Sequence, residues 1–126
     1  MSAQTILIVD DSMMMRTMVR GALEADHHHV VEAPDGRAAL RTLEAARPDL
    51  VITDVNMPEM DGLSLVRALR EQGRHRFTPI LVLTTEGSDA MKQRGREAGA
   101  TGWLVKPFNP DQLRQVVRRV MKSDRA

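Results

Sequence analysis

At 126 residues, with 42% apolar and 28% charged side chains and a net charge of +1, the chain has the composition of one soluble globular domain. No charge excess directs it to nucleic acid or to a membrane surface, and its apolar runs reach about five residues against the ~20 of a membrane span. It contains no cysteine, which excludes disulfides, thiol chemistry and cysteine-based zinc sites.

The N-terminus, Met1-Ser2-Ala3-Gln4, carries neither a basic region nor a hydrophobic core, so no secretory signal and a cytoplasmic location are expected. Thr5–Val9 then reads as a strand. From about Ser12 to Glu24, apolar residues recur at helical spacing at Met14, Met15, Met18, Val19, Ala22 and Leu23. A short extended stretch, Val30–Ala33, precedes the Pro34-Asp35-Gly36 turn. Ala38, Ala39, Leu40, Leu43 and Ala46 predict a second helix that ends near Arg47-Pro48, because a residue before proline is pushed out of the helical region. Strand Leu50–Asp54 leads through a loop to a third helix carrying Leu63, Leu65, Val66 and Leu69. Strand Pro79–Thr84 is followed by a weaker helix from about Ser88 to Ala98, closed by Gly99. Strand Gly102–Val105 leads to a last helix, with Asn109 as cap, Pro110 at the first helical position and Gln112 completing a capping box. The tail Ser123–Ala126 is expected to fray, and one domain with a core over about 4–122 is expected.

Strands and helices alternating at this spacing predict right-handed βαβ units and a parallel sheet covered on both faces. The near-continuous Val/Ile/Leu strands agree, since strands buried on both faces do not alternate. In such a sheet, residues at the carboxyl ends of the strands converge on one crevice. Four short strings stand at those ends: Asp10-Asp11, Asp54, Thr84 and Lys106-Pro107. Each has a bland reading when taken singly, since Asp-Asp after a strand often only caps a helix. Their agreement at four strand ends outweighs that reading.

Three clustered carboxylates repel one another, and a divalent cation removes the repulsion. Hard oxygen donors with no thiolate and no nearby histidine favour Mg²⁺ over zinc. A carboxylate of this set can also act as nucleophile in phosphoryl transfer, which needs charge neutralisation more than acid or base help. Lys106 supplies a compact positive charge with three donors, and Thr84 a hydroxyl. In the loop Asp54-Val55-Asn56-Met57-Pro58-Glu59-Met60-Asp61-Gly62, Pro58 fixes one dihedral, Gly62 permits positive φ and Asp61 can cap the next helix. The carbonyl near Asn56 is then available to the metal.

The chain resembles the receiver domain of two-component response regulators, most closely the stand-alone chemotaxis type. The resemblance covers essentially the whole chain. It rests on Val9-Asp10-Asp11, Asp54-x-x-Met57-Pro58-x-Met60-Asp61-Gly62, Thr84-Thr85-Glu86, Ala98-Gly99-Ala100 and Lys106-Pro107-Phe108. It implies an α/β fold of flavodoxin-like type, with five helices around a five-stranded parallel sheet of order 2-1-3-4-5. It also implies that Asp54 accepts phosphate from a phosphohistidine of a sensor histidine kinase. Asp10, Asp11, Asp54 and the Asn56 carbonyl would hold Mg²⁺, Asp11 directly and Asp10 through water. Thr84 and Lys106 would grip the phosphoryl oxygens, and Lys106-Pro107 would be cis.

By the same resemblance, Asn56, Thr85, Glu86 and Trp103 are modulatory positions. Asn56 and Glu86 tune water access, which implies a phosphoryl group lasting seconds to minutes. Trp103 stands where this type usually has tyrosine or another smaller ring. Either it turns inward behind Thr84, or it is a static ring anchoring a partner surface. A downstream protein would dock on the face of the fourth helix, fifth strand and fifth helix. The expected chain is a monomer that binds neither nucleic acid nor membrane, and no enzyme beyond assisting its own phosphorylation and dephosphorylation.

Other features receive modest readings. His27-His28-His29 reads as a solvated turn, since three adjacent residues cannot all face one way. Met13-Met14-Met15 and Met18 read as packing filler, and Arg74-His75-Arg76 as a solvated loop. Arg114, Arg118, Arg119 and Lys122 form a basic stripe on the last helix, either solvated or docking an acidic partner. A Mg²⁺-dependent aspartyl-phosphate phosphatase of haloacid-dehalogenase type is the weaker alternative, because Asp54-Val55-Asn56 lacks its second Asp and no cap domain follows. A pseudo-receiver that binds without phosphorylation is disfavoured by the complete acidic set. Chemotaxis, another pathway and a phosphorelay intermediate all remain compatible with the site, and no DNA-binding or catalytic effector is expected in the chain.

Overall fold

The computed structural model describes residues 4–123, and side chains up to Met121; the expectation for the tail falls mostly outside the described residues. Five strands, β1 (Thr5–Val9), β2 (His29–Ala33), β3 (Leu50–Asp54), β4 (Ile80–Thr84) and β5 (Gly102–Val105), pair in parallel in the order β2-β1-β3-β4-β5. The connecting helices are α1 (Met13–Ala25), α2 (Gly36–Ala45), α3 (Gly62–Glu71), α4 (Asp89–Ala98) and α5 (Pro110–Ser123). The sheet order is the one the resemblance implied.

Side-chain alternation along the strands divides the core into two layers. Ile6, Ile8, Leu50, Ile52, Leu81 and Leu83 pack with Val19 and Leu23 of α1 and Leu113 and Val117 of α5. Leu7, Val9, Val51, Ile80 and Val82 pack on the opposite face with Leu43 of α2, Leu63 and Val66 of α3, and Met91 of α4. Every residue of β3 and β4 is buried, while the edge strands β2 and β5 are partly open. Each fully buried aliphatic side chain contributes roughly 1.5–3 kcal/mol, so the two layers hold the strand ends in a fixed relation.

The helix ends follow local chemistry. Ser12, Asp35, Asp61 and Ser88 each accept a backbone N–H from the first turn of α1, α2, α3 and α4. The capping box of α5 is reciprocal: Gln112 N–H donates to Asn109 Oδ1 (2.8 Å) and Asn109 N–H to Gln112 Oε1 (2.9 Å). Gly99 closes α4 at φ 110°. Helix α2 stops at Ala45, short of Arg47-Pro48, because Ala46 is already extended (ψ 146°).

Three expectations are corrected. Gly62 does not take positive φ; within its loop the left-handed residue is Glu59 (φ 67°). Met13 and Met14 are 71% and 84% exposed, so only Met15 and Met18 of that group pack on the core. His75 is buried, in a single 3-10 turn (Gly73–His75) that Arg70 pins by donating to the carbonyls of His75 (2.9 Å) and Thr78 (2.6 Å).

Burial foremost, and then the Arg74 guanidinium, hold the His75 imidazole below its ordinary value of 6.5. The unfolded chain therefore takes up this proton at a higher pH than the folded chain. The contribution of His75 to stability should be level above about pH 6.5 and fall as the pH drops below it. Thermal melts at about pH 7.5 and about pH 5.5 check this, and His75→Gln should flatten the difference.

Candidate functional site

Backbone hydrogen bonds bring the four strand-end strings together. Asp10 follows β1, its N–H donating to Ala33 O (3.2 Å) and its Oδ1 accepting from Ser12 N (2.9 Å). Asp54 ends β3, and the next N–H, that of Val55, donates to Leu83 O (3.2 Å) and to Asp54 Oδ1 (2.9 Å). Thr84 ends β4, its Oγ1 accepting from Glu86 N (3.0 Å). Its carbonyl accepts from Lys106 N (2.7 Å), which sets Lys106 beside it, and Lys106-Pro107 is cis.

Among the described residues, Asp10, Asp11 and Asp54 are the group of metal-capable side chains that converges, with one carboxylate oxygen from each lying within 4.8 Å of the others. Asp10 and Asp54 are buried while Asp11 is open to solvent. Lys106 Nζ lies 3.1 Å from Asp54 Oδ1 and 3.5 Å from Asp10 Oδ2. Burial is the main cause that raises the Asp10 carboxyl above its ordinary 3.8. The Ser12 N–H opposes it, Asp54 adds to it, Lys106 lowers it and Asp11 contributes a smaller rise. One ammonium therefore pairs with two buried carboxylates, and the Asp11 carboxylate lies beside them at the solvent edge. Asp10 Oδ2 is buried with no hydrogen bond among the described residues. A buried hard oxygen that shares one ammonium, at 3.5 Å, with Asp54 and lies beside two further carboxylates fits a divalent, oxygen-preferring cation such as Mg²⁺.

The β3–α3 loop shapes the mouth of this cluster. Gly62 N–H donates to Val55 O (2.8 Å), and Asp61 Oδ1 caps α3 at Ser64 N (2.8 Å). A Cβ on Gly62 would stand 2.0 Å from the carbonyl oxygen of Asp54. Close backbone approach, not φ, requires glycine here.

The positions expected to be modulatory are more open. Asn56, Thr85 and Glu86 are exposed, and Glu86 Oε2 accepts from Ser88 Oγ (2.9 Å). Trp103 is half-buried, its ring laid on α4 so closely that a Cβ on Gly95 would meet it at 2.4 Å; its indole nitrogen is buried without a hydrogen-bond partner among the described residues. His27 and His29 are exposed, and His28 Nδ1 accepts from Gln4 N (3.3 Å). In the basic stripe, Arg118 pairs with Asp26 (3.0 Å) and Arg114 with Asp111, so two of its charges are already matched. A cleft of about 290 Å³ opens at the opposite end of the sheet beside Phe77, Pro48 and Pro79, and holds none of the site residues.

Sequence reading missed Arg16, whose guanidinium reaches the turn carrying Asp10 and Asp11. Its trace is Glu32, a lone carboxylate in β2 between Val31 and Ala33, which calls for a cationic partner. The value of Gly62 as a point of close approach carried no local signal, since it depends on where β3 lies.

A family model described as the response regulator receiver domain matches residues 6–118. Chemotaxis protein CheY1 of Helicobacter pylori is 39% identical over 121 residues, which cover 94% of this chain and 98% of that protein. Among solved structures, the chemotaxis response regulator CheY4 of Vibrio cholerae is 50% identical with a TM-score of 0.91, over 94% of this chain and 99% of that one. The receiver domain of the sensor histidine kinase PA1611 from Pseudomonas aeruginosa, solved with a magnesium ion coordinated in its active site cleft, is 30% identical with a TM-score of 0.87, over 96% and 99%. Other curated relatives are longer: the chain spans 29% of one and 48% of another.

Proposed function

The chain belongs to the response regulator receiver family, and from that premise we propose that it is a phosphoacceptor switched at Asp54 by a sensor histidine kinase. The observation that carries the reading is the ion pair of Lys106 Nζ with Asp54 Oδ1 at 3.1 Å, beside the carboxylates of Asp10 and Asp11. Among the described residues, the hydrogen bonds to the Asp54 carboxylate, from Val55 N and from Lys106 Nζ, fall on Oδ1. That leaves Oδ2 to attack phosphorus. The P–O bond forms as the P–N bond of the donor phosphohistidine breaks, and the electron pair leaves on the imidazole nitrogen. A carboxylate has no proton to lose, so no general base is required.

Lys106 stays beside the reacting carboxylate and offsets charge on the phosphoryl oxygens. The Thr84 hydroxyl accepts from Glu86 N and keeps its own proton for a phosphoryl oxygen. Asp10, Asp11, Asp54 and the Asn56 carbonyl would hold Mg²⁺, which supplies the remaining charge neutralisation when bound. Asn56 and Glu86, both exposed, would govern the approach of hydrolytic water, and Thr85 lies between the reacting end of β4 and Glu86.

The output is protein binding, and the surface of α4, β5 and α5 is its seat. The ring of Trp103 joins β5 to α4 at Gly95, so a change at Thr84 and Lys106 has a packed route to that surface. The close likeness to chemotaxis regulators favours a chemotaxis-like pathway in the cytoplasm, with the chain acting as a monomer. Among the described residues no helix is long and apolar enough to cross a membrane. Phosphoryl incorporation from acetyl phosphate should require Mg²⁺ and stop on adding excess chelator. Labelling that proceeds unchanged in the chelator would contradict the metal's part in this reading.

A further inference from the structure

Arg16 lies one turn into α1, its side chain 14% exposed, and it is bound at both ends of its guanidinium. One terminal nitrogen donates to the carbonyl oxygen of Asp10 at 2.6 Å, and Nε donates to Glu32 Oε1 at 2.8 Å. Glu32 is itself fixed, because β2 pairs with β1 through Ile8↔Glu32 and Arg20 Nε donates to its other oxygen at 2.6 Å. Asp10 is thus gripped at its N–H by Ala33 of β2, at its carbonyl by Arg16 and at Oδ1 by Ser12. The remaining oxygen, Oδ2, is buried, accepts no hydrogen bond among the described residues and lies 3.5 Å from Lys106 Nζ.

We propose that Arg16 is a positioning residue for the cation site: it ties the Asp10-Asp11 turn to Glu32 so that Asp10 Oδ2 and the Asp11 carboxylate face the cation. The inference rests on the reading of the acidic cluster as a Mg²⁺ site. Two physical effects of Arg16 oppose each other. Its positive charge, a few residues from a divalent cation, disfavours metal binding by simple repulsion. Its hydrogen bond to the turn favours binding by holding the ligands in place. The charge effect is the smaller, because Glu32 neutralises the guanidinium at 2.8 Å and Glu24 pairs with Arg20 at 3.0 Å, so the cluster carries no net charge. Arginine is suited to this place because a planar fork reaches a carbonyl and a carboxylate at once, which an ammonium cannot do in the same geometry.

The test is calorimetric titration of MgCl₂ into the unphosphorylated full chain. Arg16→Met should raise the Mg²⁺ Kd about tenfold, the lower end of what losing an outer support of a metal ligand costs. Arg16→Lys, which keeps the charge and much of the fold, should also bind more weakly than the parent chain. Arg20→Met loosens the same Glu32 without touching Asp10 and should leave the Kd within about twofold, a change too small to signal a lost metal-ligand support. Equal or tighter binding by Arg16→Met would overturn the proposal, since tighter binding is what repulsion alone predicts. So would Arg16→Lys binding as tightly as the parent, or Arg20→Met weakening binding as much as Arg16→Met. If the parent chain itself binds no Mg²⁺, the reading of the acidic cluster fails, and this proposal with it.

Discussion

A Gly62→Ala variant should lose about 3 kcal/mol of stability, at the upper end of what overpacking costs. For a chain of this size, that lowers the melting temperature by roughly 10 °C. The added methyl would stand 2.0 Å from the Asp54 carbonyl oxygen, 2.9 Å from its carbon and 3.0 Å from Val55 Cα. All three are backbone atoms of a buried strand end, so no flexible side chain can turn away. Helix α3 must back off, and the hydrogen bond from Gly62 N to Val55 O at 2.8 Å goes with it. Because the displaced backbone is that of Asp54 itself, phosphorylation should fall together with stability. Gly21 is the control. A methyl added there would meet nothing within 4 Å, so Gly21→Ala in α1 should stabilise by up to about 1 kcal/mol. Melting curves of the two variants read both effects, and a Gly62→Ala protein melting with the parent would show that the loop is not wedged against β3.

Replacing Lys106 with methionine should slow phosphorylation by about 10²–10³-fold, the usual cost of removing one preorganised donor, while Mg²⁺ affinity rises. Both follow from one ammonium lying 3.1 Å from Asp54 Oδ1 and 3.5 Å from Asp10 Oδ2. Without it, phosphoryl charge loses its fixed counter-charge, and the carboxylates lose the cation that competes with the metal. Methionine retains the apolar stem, so loss of packing is small. Labelling time courses and magnesium titration separate the two effects. Unchanged labelling with weakened metal binding would invert the roles assigned to Lys106.

The sequence carried the sheet and the acidic crevice because both depend on local signals. Apolar runs marked the strands, and the side chains that caps and strand ends need stood next to them. The capping box at Asn109 and Gln112 formed as its spacing required. Strand order did not come from periodicity; it came with the resemblance to receiver domains, and the observed pairing agrees. What escaped depends on distant packing. His75 looked solvated between two arginines, yet Arg70 draws its turn against the body of the protein. Gly62 was given a conformational role, whereas its constraint is the neighbouring strand. Trp103 could be read as swinging or static from sequence alone. Only the fold shows its ring seated over Gly95, a place that a larger residue on α4 would fill.

The central claim, that Asp54 is the phosphoacceptor, is tested most directly by intact mass measurement after incubation with acetyl phosphate and Mg²⁺. The parent chain should gain one phosphoryl group, and Asp54→Asn, which keeps the size of the side chain but not its nucleophilic carboxylate, should gain none. An adduct of equal yield on Asp54→Asn, or no adduct on the parent chain with Mg²⁺ present, would contradict the account.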